Sequence, residues 1–225
     1  MLASAAMATP RRVLLALVAL ALLAPSGAAA ATFSNTSPIV VPDNSTGNPY
    51  PSTIPVSGLG GTVTNVKVTL VDVFGAARDF DVLVSGPSGS AIVMSDTCSG
   101  TDYNHVAISF EDAAANLLPS GLCVGFTGGT YKPTNYDSAD NFPTAPPGPY
   151  PVGFSSFNGT PPNGVWKLYA LDDQVPDAGS IGGGWRLDLT TNAPPPTTKK
   201  KCKKKPKSRS AAAAKKKKCK KKKKK

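Results

Sequence analysis

The stretch Phe80-Asp81-Val82-Leu83-Val84-Ser85-Gly86-Pro87-Ser88-Gly89-Ser90-Ala91-Ile92-Val93-Met94 decides the fold class. Two short apolar runs, Phe80–Val84 and Ala91–Met94, flank Ser85-Gly86-Pro87-Ser88-Gly89. Proline fixes φ and glycine supplies backbone freedom, so the middle segment reads as a tight hairpin connection between two strands.

The same pattern extends in both directions. Thr62–Val73 places Val66, Val68 and Leu70 on one face and Val63, Val71 and Val73 on the other, which predicts partial cover on both faces. Val106, Ile108 and Phe110 alternate with Ala107 and Ser109, and Leu122–Phe126 reads as another short run. Val165–Leu171 and Trp185–Leu189 close the series, with Trp185, Leu187 and Leu189 facing one way and Arg186 and Asp188 the other. Short period-two runs cut by Gly, Pro, Asn and Asp indicate an all-β sandwich or barrel. The longest stretch with any helical character is Glu111–Leu118. Trp166 and Trp185 each open a run with a leucine two residues on, so both indoles are expected in the core between two sheets. Pro-rich loops at Pro42–Pro51, Pro133–Pro151 and Pro161-Pro162 are either binding loops or rigid surface connections.

Of the 225 residues, 25 are Lys or Arg and 14 Asp or Glu, but the net +11 averages three unlike segments. Residues 1–31 contribute two arginines; residues 32–198 hold five bases and all 14 acids; residues 199–225 hold seventeen lysines and Arg209. The chain is an acidic globule with a polycationic tail. Arg11-Arg12, the apolar run Val13–Leu23 and the alanines ending at Ala31 have the order of a cleaved secretory signal, and the run is about half of the roughly 20 residues a membrane-spanning helix needs. We expect residues 1–31 to be a signal peptide cut near Ala31, leaving a secreted or envelope-associated protein with no transmembrane helix after processing. In an oxidising compartment, Cys98 and Cys123 read as one structural disulfide; two unpaired thiols are the alternative. The bridge would close a loop of about 26 residues, worth on the order of 3 kcal/mol in the chain-entropy model.

The single histidine, His105, leaves no zinc site built on several imidazoles, and the remaining thiolates are badly spaced for one. There is no G-x-S-x-G elbow, P-loop or dinucleotide fingerprint. An enzyme is not expected.

With the strands read, three motifs resemble the P domain of proprotein convertases. Asp79–Ser90 is similar to its Asp-Leu-x-hydrophobic…Ser-Pro-x-Gly-Thr motif. Gly164-Val165-Trp166-Lys167-Leu168-Tyr169-Ala170-Leu171-Asp172 is similar to its Gly-x-Trp-x-Leu-x-Val-x-Asp strand. Asp177-Ala178-Gly179-Ser180-Ile181, followed by Trp185-Arg186-Leu187, is similar to its closing motif. They occur in family order over roughly residues 38–190. The resemblance implies a jelly-roll-like β-sandwich, here over residues 32–190; composition adds a Pro/Thr linker at 191–198 and a disordered Lys/Cys-rich tail at 199–225. In convertases this domain follows and stabilises a subtilisin-like catalytic domain. No separate Asp, His and Ser blocks precede residue 38, so protease activity is not carried over. The family's His-containing stretch reads Asp72-Val73-Phe74-Gly75-Ala76-Ala77-Arg78 here, a departure in that loop.

Asp79, Asp81, Asp172, Asp173 and Asp177 lie in the best-matching motifs. If their loops meet at one end of the sandwich they could supply oxygens to Ca²⁺; turn capping and a solvated acidic rim are the plain alternative. Asp79 and Asp81 are expected on one face of a strand. His105 reads as a surface or structural histidine, and Asn35, Asn44 and Asn158 head glycosylation sequons.

In the tail, Lys199, Lys200, Lys201, Lys203, Lys204, Lys205, Lys215, Lys216, Lys217 and Lys218 form the anion-binding element. It suits anionic envelope polymers or lipid headgroups. Without stacking aromatics it could bind nucleic acid only non-specifically. It could also fold back on the acidic domain. Cys202 and Cys219, activated by neighbouring lysines, can pair with each other or crosslink two tails. The expected function is a secreted, non-catalytic interaction module held at the envelope. The alternative is an accessory subunit that stabilises or regulates a separate exported subtilisin-like protease.

Overall fold

The computed structural model describes residues 28–137 and 140–193. The expected signal before residue 28, most of the linker, and the Lys/Cys tail with Cys202 and Cys219 lie outside the described residues.

The described chain is an all-β sandwich of twelve strands in two sheets. The strands are β1 (Ala29–Asn35), β2 (Ile39–Val41), β3 (Ser52–Val56), β4 (Val63–Ala76), β5 (Phe80–Gly86), β6 (Gly89–Ser95), β7 (Asp102–Glu111), β8 (Gly129–Tyr131), β9 (Thr134–Asn135), β10 (Gly164–Asp172), β11 (Gly179–Ile181) and β12 (Trp185–Thr191). The first sheet runs β1-β12-β4-β11-β2, with β7 on the other edge of β4 and β8 beyond it. The second runs β3-β10-β5-β6-β9. β1 takes in Ala29–Ala31, on the far side of the boundary expected for the signal.

The predicted hairpin is β5–β6: Gly86 pairs with Gly89, and Pro87-Ser88 form the turn. Trp166 and Trp185 are both buried in the core between the sheets. Each indole nitrogen donates inside the fold, Trp166 to the carbonyl of Pro162 at 3.0 Å and Trp185 to the hydroxyl of Ser52 at 3.1 Å. Two large aromatic faces are thereby buried without stranding a donor.

On β4 the expected two-faced pattern is altered by bulges. Opposite β7 the register shifts between Leu70 and Val73, where Asp72 has φ of 59°; opposite β12 it shifts between Thr190 and Thr191. Each irregularity resets the alternation, so Val63 and Val73 join Val66, Val68 and Leu70 in the core and Val71 stays half-buried.

Strand β5 is covered on both faces, as are β6 and the second half of β10. Phe80, Val82 and Val84 point into the main core. On the opposite face of the same sheet, Leu83, Ile92, Tyr169 and Leu171 form a second apolar cluster with Phe142, beneath Tyr50 and Tyr150. The Pro-rich segment around Phe142 and Tyr150 thus covers the outside of the sheet. It also closes the open edge of β6, since Ile92 N–H donates to the carbonyl of Pro151 at 2.9 Å.

One strand expectation is corrected. Leu122–Phe126 is not a strand: Leu122 and Val124 are exposed, and Cys123 turns inward to a disulfide with Cys98, Cα–Cα 5.2 Å. The cross-link and the positive φ of Gly125 and Gly128 hold the segment as a loop. Glu111–Leu118, the longest stretch that the sequence left open to a helix, is not helical and leaves β7 through a turn. The helical turns among the described residues are two short 3₁₀ segments, Ala77–Asp79 and Phe154–Phe157.

Candidate functional site

Carboxylates concentrate where β5 begins and β6 and β10 end. Pairing explains the convergence: Asp81 on β5 sits opposite Leu171 on β10, and Val82 opposite Met94 on β6. The residues flanking those pairs, Asp79, Asp96, Asp172 and Asp173, are therefore carried to one end of the sheet.

Asp79 is buried at the end of the 3₁₀ turn, not on the strand with Asp81 as expected. Its Oδ1 accepts from Arg78 Nε at 2.9 Å, while its Oδ2 is buried with no hydrogen-bond partner. Burial raises its pKa, Arg78 opposes this, and Asp177 and Asp43 add to the rise. Asp172, at the end of β10, is also buried. Its Oδ1 accepts from the backbone N–H groups of Asn44 and Gln174, both at 3.1 Å. Burial pushes its pKa up to about 6 despite these bonds, with Asp79 and Asp43 contributing. Asp173 is exposed and also raised, by residual burial and by Asp96, Asp79 and Asp137. Asp177 is exposed on the β10–β11 connection and reaches this group through its field on Asp79.

The tightest cluster has a different membership. A carboxylate oxygen from each of Asp81, Asp96 and Asp140 lies within 4.8 Å of the others. Asp81 is buried; Asp96 and Asp140 are half-buried. Ser95 Oγ lies 2.7 Å from Asp96 Oδ2 and 3.0 Å from Asp140 Oδ1, and Asn135 Nδ2 donates to Asp140 Oδ2 at 2.9 Å. Burial, then Asp140 and Asp173, push Asp81 up to about 8, and burial with Asp96 and Asp137 pushes Asp140 up to about 6. Of the five carboxylates expected from sequence, Asp81 alone belongs to this cluster. Asp96 had a local signal, as the first acid after the apolar run Ala91–Met94; Asp140 had none, because a long loop delivers it.

Beside the cluster, a groove of about 600 Å³ runs along the Pro-rich loop, lined by Asn135, Asp140, Phe142, Pro149, Tyr150 and Ile92 among others. His105 lies on β7, in the first sheet. Its Nδ1 is 2.8 Å from Asp72 Oδ1, its ring stacks on Phe74 at 5.0 Å, and its side chain is 64% exposed. That geometry is the surface role expected for it. Among the described residues no helix is long and apolar enough to cross a membrane. No family model, curated protein or solved structure matches the chain.

Proposed function

We propose that the chain is an exported, non-catalytic interaction module of the proprotein convertase P-domain type, held at the cell envelope by its polycationic tail. The observation that carries this reading is the charge division: a sandwich segment with five bases and 14 acids is joined to 27 residues holding seventeen lysines and an arginine. A segment so basic, without aromatic residues, is suited to phosphate-rich polymers or anionic headgroups. The residues that carry the family resemblance support a scaffold role, since Trp166 and Trp185 are consumed in packing and Gly86 in a turn against Trp166. The groove along the Pro-rich loop offers a recognition surface.

Envelope retention of the full chain, beside a form ending at Thr198, tests the reading through a salt series. The full chain should be held at low salt and released as counterions screen the tail, while the shortened form stays in solution. Equal retention of both forms would move recognition to the sandwich.

One observation favours the second reading, an accessory subunit of an exported subtilisin-like protease. Leu117, Leu122 and Val124 are exposed side by side along a groove next to Cys123, an apolar surface of the kind that docks on another protein. Co-purification with such a protease, lost on Val124→Asp, would support it.

A further inference from the structure

Asp81, Asp96 and Asp140 come from segments that are neighbours only in the fold: β5, the residue after β6, and the loop that follows β9. The ion pairs among the described residues are Lys67–Glu111, Arg78–Asp79, His105–Asp72 and Arg186–Asp188, so no basic side chain of the described residues pairs with this trio. The hydrogen bonds cover only part of the charge. Ser95 has one hydroxyl proton within reach of all three carboxylates, so only one of Asp81, Asp96 and Asp140 can receive it at a given moment. Asp81 is the decisive member. It is 2% exposed, and its Oδ1 is buried with no hydrogen-bond partner. A buried carboxylate oxygen without a donor is costly, and two more carboxylates within 4.8 Å raise that cost. A cation among the three oxygens would satisfy all of them together.

We propose that Asp81, Asp96 and Asp140 form a Ca²⁺ site that ties the Pro-rich loop to the end of the second sheet. The donors are all hard oxygens, with no imidazole or thiolate in the cluster, which disfavours the softer metals and favours hard cations such as calcium or magnesium. Magnesium demands near-ideal octahedral geometry, whereas calcium accepts six to eight irregularly placed oxygens. Ligands drawn from a strand, a strand end and a loop fit the looser ion. Asp96 and Asp140 are half-buried, so water can complete the shell. The bound ion would replace an acidic repulsion by a cross-link between β5, β6 and the loop whose Phe142 and Tyr150 cover the outer face. This site is independent of the tail, so its failure and that of the anchoring proposal are separate results.

The test is calorimetric titration of CaCl₂ into the full chain after EDTA treatment at pH 7.5, with thermal unfolding in parallel. The expected result is one Ca²⁺ per chain and a saturable rise in Tm. Asp81→Asn and Asp140→Asn should each weaken binding at least about tenfold, since each removes an anionic ligand. Asp172→Asn, outside the trio, should bind as the parent does. Asp81→Asn replaces a buried carboxyl that has no basic partner by a neutral amide of the same shape, so its metal-free form should unfold no lower than the parent, which separates lost binding from lost folding. If that variant does not fold, Asp140→Asn, on a half-buried loop residue, decides alone. A parent chain that takes up no Ca²⁺ overturns the proposal. So does undiminished binding in both variants, which would place the ion at Asp79, Asp172 and Asp173 instead.

Discussion

Gly86 lies flat against the indole of Trp166: a Cβ built on Gly86 would sit 3.0 Å from two carbons of the buried ring. The hairpin and the core are thus fitted to each other at one contact. Trp166 is fully buried, and its nitrogen is tied to Pro162, so the ring has little room to yield. Gly86→Ala should therefore destabilise the fold by about 1–3 kcal/mol, as overpacking of a filled core does. Urea unfolding of the variant beside the parent checks this. An unchanged midpoint would mean that the ring can shift at no cost.

The Cys98–Cys123 cross-link holds a loop in place of the strand that the local pattern suggested. Cys98 is fully buried with φ of 54°, and Cys123 N–H donates to the Thr101 hydroxyl at 2.8 Å. Replacing both cysteines by serine should cost about 3 kcal/mol, the loop-closure entropy of the 25-residue separation. The chemical-unfolding midpoint in the absence of reductant measures it. A loss under about 1 kcal/mol would mean that hydrogen bonds around Thr101 already hold the loop.

These two sites show what can be read in the chain and what cannot. Gly86-Pro87-Ser88-Gly89 states its turn locally, and the alternation around Trp166 and Trp185 states its buried face, because both depend on neighbours a few residues away. Leu122-Cys123-Val124 has the same alternation, yet its middle residue is the one turned inward, since the covalent partner is Cys98. The bulges in β4 are another case: they depend on the partners β7 and β12, and so move Val63 and Val73 into the core unannounced. The acidic end was half legible. The motifs pointed to Asp79, Asp81, Asp172 and Asp173, which strand pairing does bring to one end. Asp96 and Asp140, however, join Asp81 only through the β5–β6 pairing and the path of the Pro-rich loop.

Asp172 makes the stability of the domain depend on pH. Its pKa rises from the ordinary 3.8 to about 6, chiefly through burial, so between these values the folded state binds more protons than the unfolded one. Stability is then greatest below pH 4 for this group, falls as pH rises to about 6, and stays at the lower level above. Asp172→Asn keeps an oxygen able to accept from the N–H groups of Asn44 and Gln174 while removing the charge. In EDTA, the loss of unfolding free energy between pH 4 and pH 7 should be smaller in the variant by about 1–2 kcal/mol. Equal losses would show that the Asp172 carboxylate is solvated well enough to ionise without cost.

If the chain is exported as proposed, the pairing of β1 with β12 limits where processing can cut without damage. All seven residues of β1 have partners, from Ala29 opposite Thr191 to Asn35 opposite Trp185, and Ala29 is buried. Cleavage after Ala31 would remove the pairs with Thr191, Thr190 and Leu189 and uncover the end of β12. Ser26-Gly27-Ala28 presents small residues at both positions that a signal peptidase reads, and a cut there leaves the strand whole. If the proposed export holds, the mature chain should begin at Ala29, which N-terminal sequencing or intact mass will show. A form beginning at Thr32 should be less stable by roughly 1–2 kcal/mol, the worth of a few net hydrogen bonds at a sheet edge. A natural start at Thr32, with no stability difference between the two forms, would mean that β12 is held by β4 alone at that end.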